Sequence, residues 1–242
     1  MKITRLWRED ETGRRDERDG RDERDGRDGR GRDSREVEWN FRATIFRGHI
    51  TNEIVPYEVF GDVFYRNASK TNHFGIDLES KLVLFQDLSF NVSYIFSRFI
   101  YDTYPTISME TDSTGTLAQV PRNFSGKIEP GIPEHNLKIS LSYKYPLGKH
   151  VDLKGDVNYA AISKMWVDDG NTAQTKAYQV LNAFVGCEMK YGHFNILLSA
   201  GYNNILNTVY AGLITINSAN FRFYNAAAPG SWAGVVNLGY NF

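Results

Sequence analysis

The chain has 242 residues, with 28 Lys or Arg, 29 Asp or Glu and a formal net charge of −1, so its charge indicates no particular partner. A single cysteine, Cys187, excludes an internal disulfide framework. The apolar stretches are short and interrupted, which excludes a transmembrane helix. The first ten residues, MKITRLWRED, lack the apolar segment of a signal peptide, and none is predicted there.

Residues 1–36 form the first predicted region, and their twelve Lys or Arg and twelve Asp or Glu make two-thirds of it charged. The hexapeptide RDERDG occurs at 15–20 and again at 21–26, in a stretch without aromatic or aliphatic residues. Such a stretch buries too little apolar surface to offset its ordering entropy, so we expect a disordered, low-complexity extension. Arginine- and glycine-rich tracts also bind nucleic acid, but the balancing acidic residues and the lack of aromatic residues disfavour that role.

From residue 37 to residue 242, apolar and polar residues alternate with period two in eight segments. The clearest segment is NLKISLSYKYP, in which Leu137, Ile139 and Leu141 alternate with Lys138 and Ser140. This alternation predicts strands that each have one apolar and one polar face. The predicted strands are 37–45, 76–84, 88–96, 137–145, 151–159, 181–191, 194–202 and 232–242.

The predicted connections are alternately tight and long. The tight links are 85–87, 146–150 and 191–193, and the long polar segments are 102–134, 167–176 and 205–230. Short turns at one end and long loops at the other are typical of a transmembrane β-barrel, whose tilted strands of about ten residues span the hydrocarbon layer. Aromatic residues lie near the predicted strand ends, as interfacial girdles require: Tyr143, Tyr145, Tyr159, Trp166, Tyr178, Tyr191, Tyr202 and Trp232.

Soluble β-sandwiches and lipocalin-like barrels also alternate, because alternation alone does not say which face points outward. Sandwich strands are typically about five or six residues long, and here the polar face carries Asn, Ser, Lys and Asp, which suits a wet or loop-plugged lumen. The pattern therefore favours an all-β fold, namely an antiparallel transmembrane β-barrel portion of about eight long strands. A small eight-stranded outer-membrane structural protein or adhesin and a soluble lipocalin-like binding protein stay open as alternatives.

Three stretches carry a family resemblance: ITNEIVPYEVFGDVFYRNASKTNHFGIDLE, GIPEHNLKISLSY and NILLSAGYNNILNTVY. In this order they resemble a strand–loop–strand unit, the proline-rich entry into a descending strand, and the last two strands of TonB-dependent outer-membrane receptors. One departure is that Leu206 and Asn207 stand where the family's N-L-F-D-x-x-Y motif has Phe and Asp. The resemblance covers roughly residues 37–242.

The resemblance implies that residues 37–242 are the C-terminal barrel strands of a receptor whose family takes up ferric siderophores or related metal chelates. It implies that 102–134, 167–176 and 205–230 are extracellular loops. It also implies an outer-membrane location, with membrane lipid as a partner and no nucleic acid. The barrel-assembly machinery is then a further partner, and its recognition signal comprises Trp232, Tyr240 and Phe242 of the closing strand.

A full receptor of this family has a plug domain, a TonB-binding segment and about 22 strands. We therefore expect that the eight strands are not transport-competent alone. They would aggregate, or need the plug, the other barrel strands and TonB coupling from a partner. The hypothesis is a truncated or frameshifted receptor gene in which residues 1–36 are not native receptor sequence, and the alternative is a fragment that depends on a separately encoded front half.

Candidate ligand contacts lie, by the same resemblance, in the loops and at their rim: Arg98, Tyr101, Tyr104, Arg122, Trp166, Arg222, Phe223 and Tyr224. Arginine supplies charge for an anionic chelate, and aromatic rings supply flat contact area. The alternative is that these aromatic residues belong to the girdles and that the arginines line the lumen.

Catalytic, metal and cofactor sites are not predicted, and we expect no enzymatic activity. The five histidines, His49, His73, His135, His150 and His193, lack metal-ligand spacing. Asp168 and Asp169 lie in the turn sequence WVDDGNT, with no acid–base partner nearby in the sequence. Cys187 is on the apolar phase of its strand, where it is a small residue facing lipid or core.

Overall fold

The computed structural model describes residues 37–59, 62–85, 87–111, 115–218 and 224–241, so the predicted extension at 1–36 lies outside the described residues. These ranges hold twelve strands: β1 (Val37–Val59), β2 (Asp62–Leu84), β3 (Leu88–Thr103), β4 (Pro105–Thr111), β5 (Leu117–Asn123), β6 (His135–Pro146), β7 (Val151–Ile162), β8 (Tyr178–Tyr191), β9 (Phe194–Asn203), β10 (Ala211–Ile214), β11 (Tyr224–Ala226) and β12 (Ser231–Tyr240). Among the described residues, no helix has the length and apolarity needed to cross a membrane.

Eight of the strands form one antiparallel sheet in the order β1-β2-β3-β6-β7-β8-β9-β12. These are the eight strands that the alternation predicts, so the all-β antiparallel prediction is confirmed. The remaining strands form two small hairpins, β4–β5 and β10–β11, inside the predicted long segments 102–134 and 205–230. We call the end of the sheet at which tight links join the strands the turn edge, and the opposite end of the same strands the loop edge.

β1 and β2 are much longer than the alternation predicts, since they stay paired as far as Val59 and Asp62. The physical reason is visible in β1. Its odd-numbered residues are apolar up to Ile45, and the next ones are the polar residues Arg47, His49 and Thr51. Beyond Ile45 the apolar residues of β1, such as Phe46 and Ile50, fall on the opposite phase, so the period-two pattern of the first part of the strand does not continue. The hairpin therefore extends past the apolar face of the sheet at the loop edge.

One face of the eight-stranded sheet is apolar and exposed. Residues paired across neighbouring strands share a face, and one such row is Trp39, Leu82, Phe90, Leu141, Val157, Ala183, Tyr202 and Trp232. Trp232 is 81% exposed and Val236 is 69% exposed. Cys187 lies on the same face, opposite Leu153 and Leu198. An exposed apolar face of this extent is favourable against lipid and unfavourable against water.

The turns of successive hairpins are staggered. Relative to the row through Trp39 and Trp232, the last pairs of the β2–β3, β6–β7 and β8–β9 hairpins lie two, five and eight residues toward the turn edge. Each hairpin is thus displaced by three residues from the one before. With a rise of about 3.3 Å per residue and about 4.8 Å between strands, this stagger corresponds to a strand tilt of about 45°, close to that of transmembrane barrel strands.

The polar face carries a charged network near the turn edge. Lys154 Nζ lies 2.7 Å from Glu188 Oε2, and Lys144 Nζ lies 3.0 Å from Asp152 Oδ2. Asn195 Nδ2 donates a hydrogen bond to the other oxygen of Glu188 at 3.1 Å. The two faces of the sheet therefore differ in chemistry as strongly as the alternation predicts.

The sheet is open within the described residues. β1 pairs with β2 and β12 pairs with β9, and neither β1 nor β12 has a second neighbouring strand there. The resemblance assigns β12 to closing a complete barrel, and that assignment stays a prediction.

Candidate functional site

The three long connections meet at the loop edge, and residues 163–177 lie between the other two. Gly131 N donates to Trp166 O at 2.7 Å, which joins the first connection to the middle one. Asn217 N donates to Val167 O at 3.0 Å, which joins the third connection to the same segment. The middle connection therefore receives backbone hydrogen bonds from both sides.

Asp169 is the centre of a buried polar cluster in this region and is 1% exposed. Its Oδ1 accepts a hydrogen bond from Tyr101 OH at 2.8 Å, and its Oδ2 accepts one from Tyr104 OH at 3.1 Å. Arg66 Nη2 lies 3.0 Å from Oδ2 and supplies the opposite charge. The backbone N–H of Asp169 donates to Asn217 Oδ1 at 2.8 Å. One carboxylate thus binds residues of β2, β3 and the connection that follows β3.

Aromatic rings surround this cluster. The ring centroids of Tyr101 and Tyr104 are 4.7 Å apart, and those of Tyr104 and Phe124 are 5.3 Å apart. The Arg66 guanidinium lies 5.4 Å from the centre of the Tyr104 ring. Burial, with the adjacent Asp169 carboxylate, raises the pKa of Tyr101 and of Tyr104 above the usual tyrosine range, so both hydroxyls remain donors.

The neighbouring Asp168 has a local role. Its carboxylate accepts hydrogen bonds from the backbone N–H groups of Thr172 at 2.9 Å and Ala173 at 2.8 Å, which closes the turn that WVDDGNT predicts. The two adjacent carboxylates therefore have different functions. Asp168 shapes its own loop, whereas the tyrosine and arginine partners of Asp169 lie 65 to 103 residues away in the sequence.

A second polar cluster joins β1, β2 and the segment before β6. His73 Nε2 lies 2.9 Å from Glu129 Oε1 and 3.5 Å from Glu53 Oε2. Thr71 Oγ1 donates a hydrogen bond to Glu53 Oε2. The His73 ring stacks on Phe99 with the ring centroids 3.9 Å apart. Asn52 takes a left-handed φ of 58°, which interrupts the strand alternation directly before Glu53.

Glu129 is the most buried ionisable residue of this second cluster. Burial and the neighbouring Glu53 carboxylate raise the pKa of Glu129 to about 7, although His73 opposes the shift. A cavity of about 130 Å³ borders the cluster and is lined by Glu53, Glu129, Tyr101 and Ile216, among others. The apolar face of β1 ends at Ile45, and His73 lies opposite Gly48, further toward the loop edge. The cluster therefore lies beyond the apolar face.

The predicted ligand contacts fall in different environments. Tyr101 and Tyr104 are buried in the Asp169 cluster, at 1% and 0% exposure. Arg98 is exposed, opposite Phe74 on the face that continues the apolar one. Arg122 is exposed on β5, and Trp166 is half-buried and opposite Gln174. Tyr224 begins β11, whereas Arg222 and Phe223 lie outside the described residues. Ligand contact by any of these residues stays a prediction.

The predicted assembly signal is described in part. Trp232 lies opposite Tyr202 with their rings edge to face and their centroids 5.0 Å apart. Tyr240 lies opposite Phe194, also edge to face at 5.0 Å. Phe242 lies outside the described residues. These positions put aromatic residues at both ends of β12, and their role in assembly stays a prediction.

The family model described as "TonB dependent receptor-like, beta-barrel" matches residues 33–212, which is most of the chain. The chain belongs to the TonB-dependent receptor β-barrel family. The predicted family is therefore confirmed, and the staggered sheet is part of a TonB-dependent receptor barrel. This is a family of receptors and transporters of the outer membrane and not of enzymes.

Two solved structures are similar to this TonB-dependent receptor chain. The siderophore receptor PiuA from Acinetobacter baumannii matches with a TM-score of 0.59 and 18% identity, over 84% of this chain and 26% of PiuA. The ferric preacinetobactin receptor BauA from the same organism matches with a TM-score of 0.46 and 14% identity, over 84% of this chain and 34% of BauA. The chain thus spans about a quarter to a third of these receptors, and the PiuA match supports the fold alone.

Sequence reasoning missed Arg66 and the second polar cluster. Arg66 lies within the FYRNA run of the first family-like stretch, so the motif could have indicated it. Glu53 lies in the same stretch, in NEIVP, but its contacts with His73 and Glu129 depend on the pairing of β1 with β2 and on the path of the chain before β6. No spacing in the sequence indicates that approach.

Proposed function

We propose that this chain supplies barrel strands to an outer-membrane receptor that takes up ferric siderophores or related metal chelates. The observation that carries the proposal is the tilted eight-stranded sheet of a TonB-dependent receptor family member, which has an exposed apolar face and, among the described residues, two open edges. The open edges favour a wider barrel, because unpaired backbone groups are costly in lipid. β1 and β12 would pair with further strands, and energy coupling would come from a plug and TonB.

In the proposed receptor, the turn edge would face the periplasm and the loop edge would lie outside the cell, as short and long connections are arranged in outer-membrane barrels. Lipid would contact the face that carries Val185 and Val236. The barrel-assembly machinery would recognise β12 through Trp232, Tyr240 and Phe242. The barrel domain would comprise residues 37–242, and residues 1–36 would be a separate charged extension without an enzymatic role.

Ligand contacts would come from the loops. The exposed Arg98 and Arg122 are the described candidates for binding an anionic chelate, and Trp166 offers a partly exposed ring. Arg222, Phe223 and Tyr224 complete the proposed set. Tyr101 and Tyr104 would act indirectly, by holding the loops in place through Asp169.

Growth under iron limitation tests this function. Cells expressing the chain from its own gene would be compared with a deletion strain on a panel of ferric siderophores, each supplied as the sole iron source. We expect the deletion strain to grow poorly on at least one chelate. Cells that express the chain should lose uptake of that chelate when TonB is inactivated. Growth of the deletion strain like the parent on every chelate would overturn the proposal.

Variants in the same cells identify the ligand face. We expect Arg98→Ala or Arg122→Ala to weaken chelate binding about tenfold, the effect of losing about 1.4 kcal/mol of charged contact. Lys149→Ala is the matched control, because Lys149 is exposed at the turn edge. An equal loss in the control would mean that the arginines act through general charge and not through contact.

Gel mobility tests the alternative of a self-contained eight-stranded barrel. A closed barrel resists detergent denaturation until it is heated, so heating changes its mobility. We expect the purified chain alone to show no heat-dependent shift, because β1 and β12 are unpaired with each other in the described sheet. A sharp shift by the chain alone would favour the small outer-membrane barrel instead.

A further inference from the structure

We propose that Glu53, His73 and Glu129 form a binding site for a divalent transition metal ion of the zinc class. The three side chains each present one ligand atom, and all of these atoms lie within 4.8 Å of one another. Uptake of a chelate, as proposed above, does not require this site. The geometry of the second polar cluster and the chemistry of its ligand atoms both favour such a site.

The distances fit a tetrahedral metal ion. Zinc binds imidazole nitrogen and carboxylate oxygen at about 2.0–2.2 Å, so two ligand atoms of one tetrahedron lie about 3.3–3.6 Å apart. His73 Nε2 is 2.9 Å from Glu129 Oε1 and 3.5 Å from Glu53 Oε2. A shift of a few tenths of an ångström would bring the shorter of these two distances into the tetrahedral range, and the ligand atoms of Glu53 and Glu129 lie within 4.8 Å of each other.

Charge and burial also favour a cation at this position. Among the described residues, the His73 imidazole lies within 3.5 Å of an oxygen of each carboxylate. Glu129 is 7% exposed, and paired carboxylates in such an environment are stabilised by a metal ion. A set of one imidazole and two carboxylates suits zinc-class ions, whereas calcium and magnesium prefer oxygen ligands alone.

Surrounding groups orient the ligands. Thr71 donates a hydrogen bond to the Glu53 oxygen that faces His73, and the imidazole ring is stacked on Phe99. The backbone N–H of Glu129 donates to Phe99 O at 3.0 Å, which holds the third ligand beside the same ring. Three protein ligands next to a cavity of about 130 Å³ leave a coordination position for water or a small ligand.

Metal binding at this position would connect separate parts of the loop edge. Glu53 and His73 belong to the β1–β2 hairpin, whereas Glu129 belongs to the connection that leads into β6. A bound ion would therefore fasten that connection to the hairpin. This clamp is separate from the Asp169 cluster, which fixes the middle connection.

Titration of the full chain, folded in detergent micelles, with Zn²⁺ and with Co²⁺ as a spectroscopic probe tests the site. We expect one ion per chain, a tetrahedral Co²⁺ absorption band that Zn²⁺ abolishes, and no competition from Ca²⁺. His73→Gln and Glu129→Gln should each weaken binding at least about 100-fold, and Thr71→Val about tenfold. Strand content by circular dichroism would identify any variant that fails to fold. The Zn²⁺ affinities of the folded variants would then test the site.

His49→Gln is the matched control, because His49 is exposed on the same hairpin and its Nδ1 is hydrogen-bonded with Asn72 instead. We expect its affinity for Zn²⁺ to equal that of the unchanged chain. Absence of stoichiometric Zn²⁺ binding, or full affinity in both His73→Gln and Glu129→Gln, would overturn the inference. The titration contains no siderophore, so its failure would leave the uptake proposal intact.

Discussion

The eight-stranded sheet and the loop edge are stabilised in different ways. Among the described residues, the buried hydrophobic side chains all lie at the loop edge: Val55, Tyr101, Tyr104, Met165 and Val167. The apolar side chains of the sheet, such as Trp39 and Leu238, are instead exposed. The sheet therefore depends on its backbone hydrogen bonds and, in the proposed receptor, on surrounding lipid, whereas the loops have a small protein core of their own.

This difference indicates a division of roles in the proposed receptor. A sheet whose outer face contacts lipid tolerates exchange of one apolar residue for another, because lipid adapts to side-chain shape. The loop edge cannot adapt in this way, because Asp169 is fully surrounded by specific donors.

The largest effect is expected from Asp169→Asn. Removing the charge breaks the buried ion pair between Asp169 and Arg66 and disturbs the acceptors of two tyrosine hydroxyls, so we expect a local loss of stability of about 3–5 kcal/mol. Hydrogen exchange in the 163–177 connection measures it directly. Asp168→Asn is the control, since an asparagine oxygen still accepts turn hydrogen bonds, and its expected cost is below about 1 kcal/mol. Equal losses of stability in the two variants would mean that the Asp169 cluster does not stabilise the loop edge.

An intermediate effect is expected where the sheet passes into the loop edge. A Cβ added at Gly75 would lie 2.2 Å from the Phe46 ring and 2.7 Å from the carbonyl oxygen of Phe96, so Gly75→Ala should cost about 1–3 kcal/mol. Denaturant unfolding of the chain in detergent measures this cost. Gly155→Ala is the matched control within the sheet, because nothing lies within 4 Å of its added Cβ.

The control should be neutral or slightly stabilising, because alanine is less costly than glycine in a strand interior. A Gly75→Ala variant as stable as Gly155→Ala would show that the boundary is as adaptable as the sheet. The comparison between the two regions would then apply only to the Asp169 cluster.

The smallest effect is expected on the polar face of the sheet. Lys154→Gln removes an ion pair with Glu188 that is partly open to water, and we expect a cost below about 1 kcal/mol. The cost should shrink further as salt is raised. Unfolding at two ionic strengths measures both values. A loss as large as that of Asp169→Asn would remove the contrast between the regions.

The strands were predictable because their two faces meet different surroundings. Segments such as 137–145 alternate strictly, and β6 contains that segment at the predicted phase. Beyond Ile45 the apolar residues of β1 change phase and the periodic signal is lost, which explains the missed extensions of β1 and β2. The small hairpin β10–β11 has strands of four and three residues, too short for a periodic signal.

The candidate sites were predictable only in part. Tyr101, Tyr104 and Asp169 could be selected as residue types, but their meeting depends on how the loops cross, which no local pattern encodes. His73 illustrates the same limit, because its carboxylate neighbours are 20 and 56 residues away in the sequence. The turn at Asp168 was readable, since all of its partners lie within five residues.

The position of the 163–177 connection between its two neighbours has an evolutionary consequence. Loops generally vary more in sequence among relatives than the elements that they connect. A substitution near Val167 or Asp169 would need matching changes in two other loops at once, because both are hydrogen-bonded to this segment. We therefore expect sequence variation among natural relatives to concentrate in the β4–β5 and β10–β11 hairpins. The sequence of the middle connection should change more slowly.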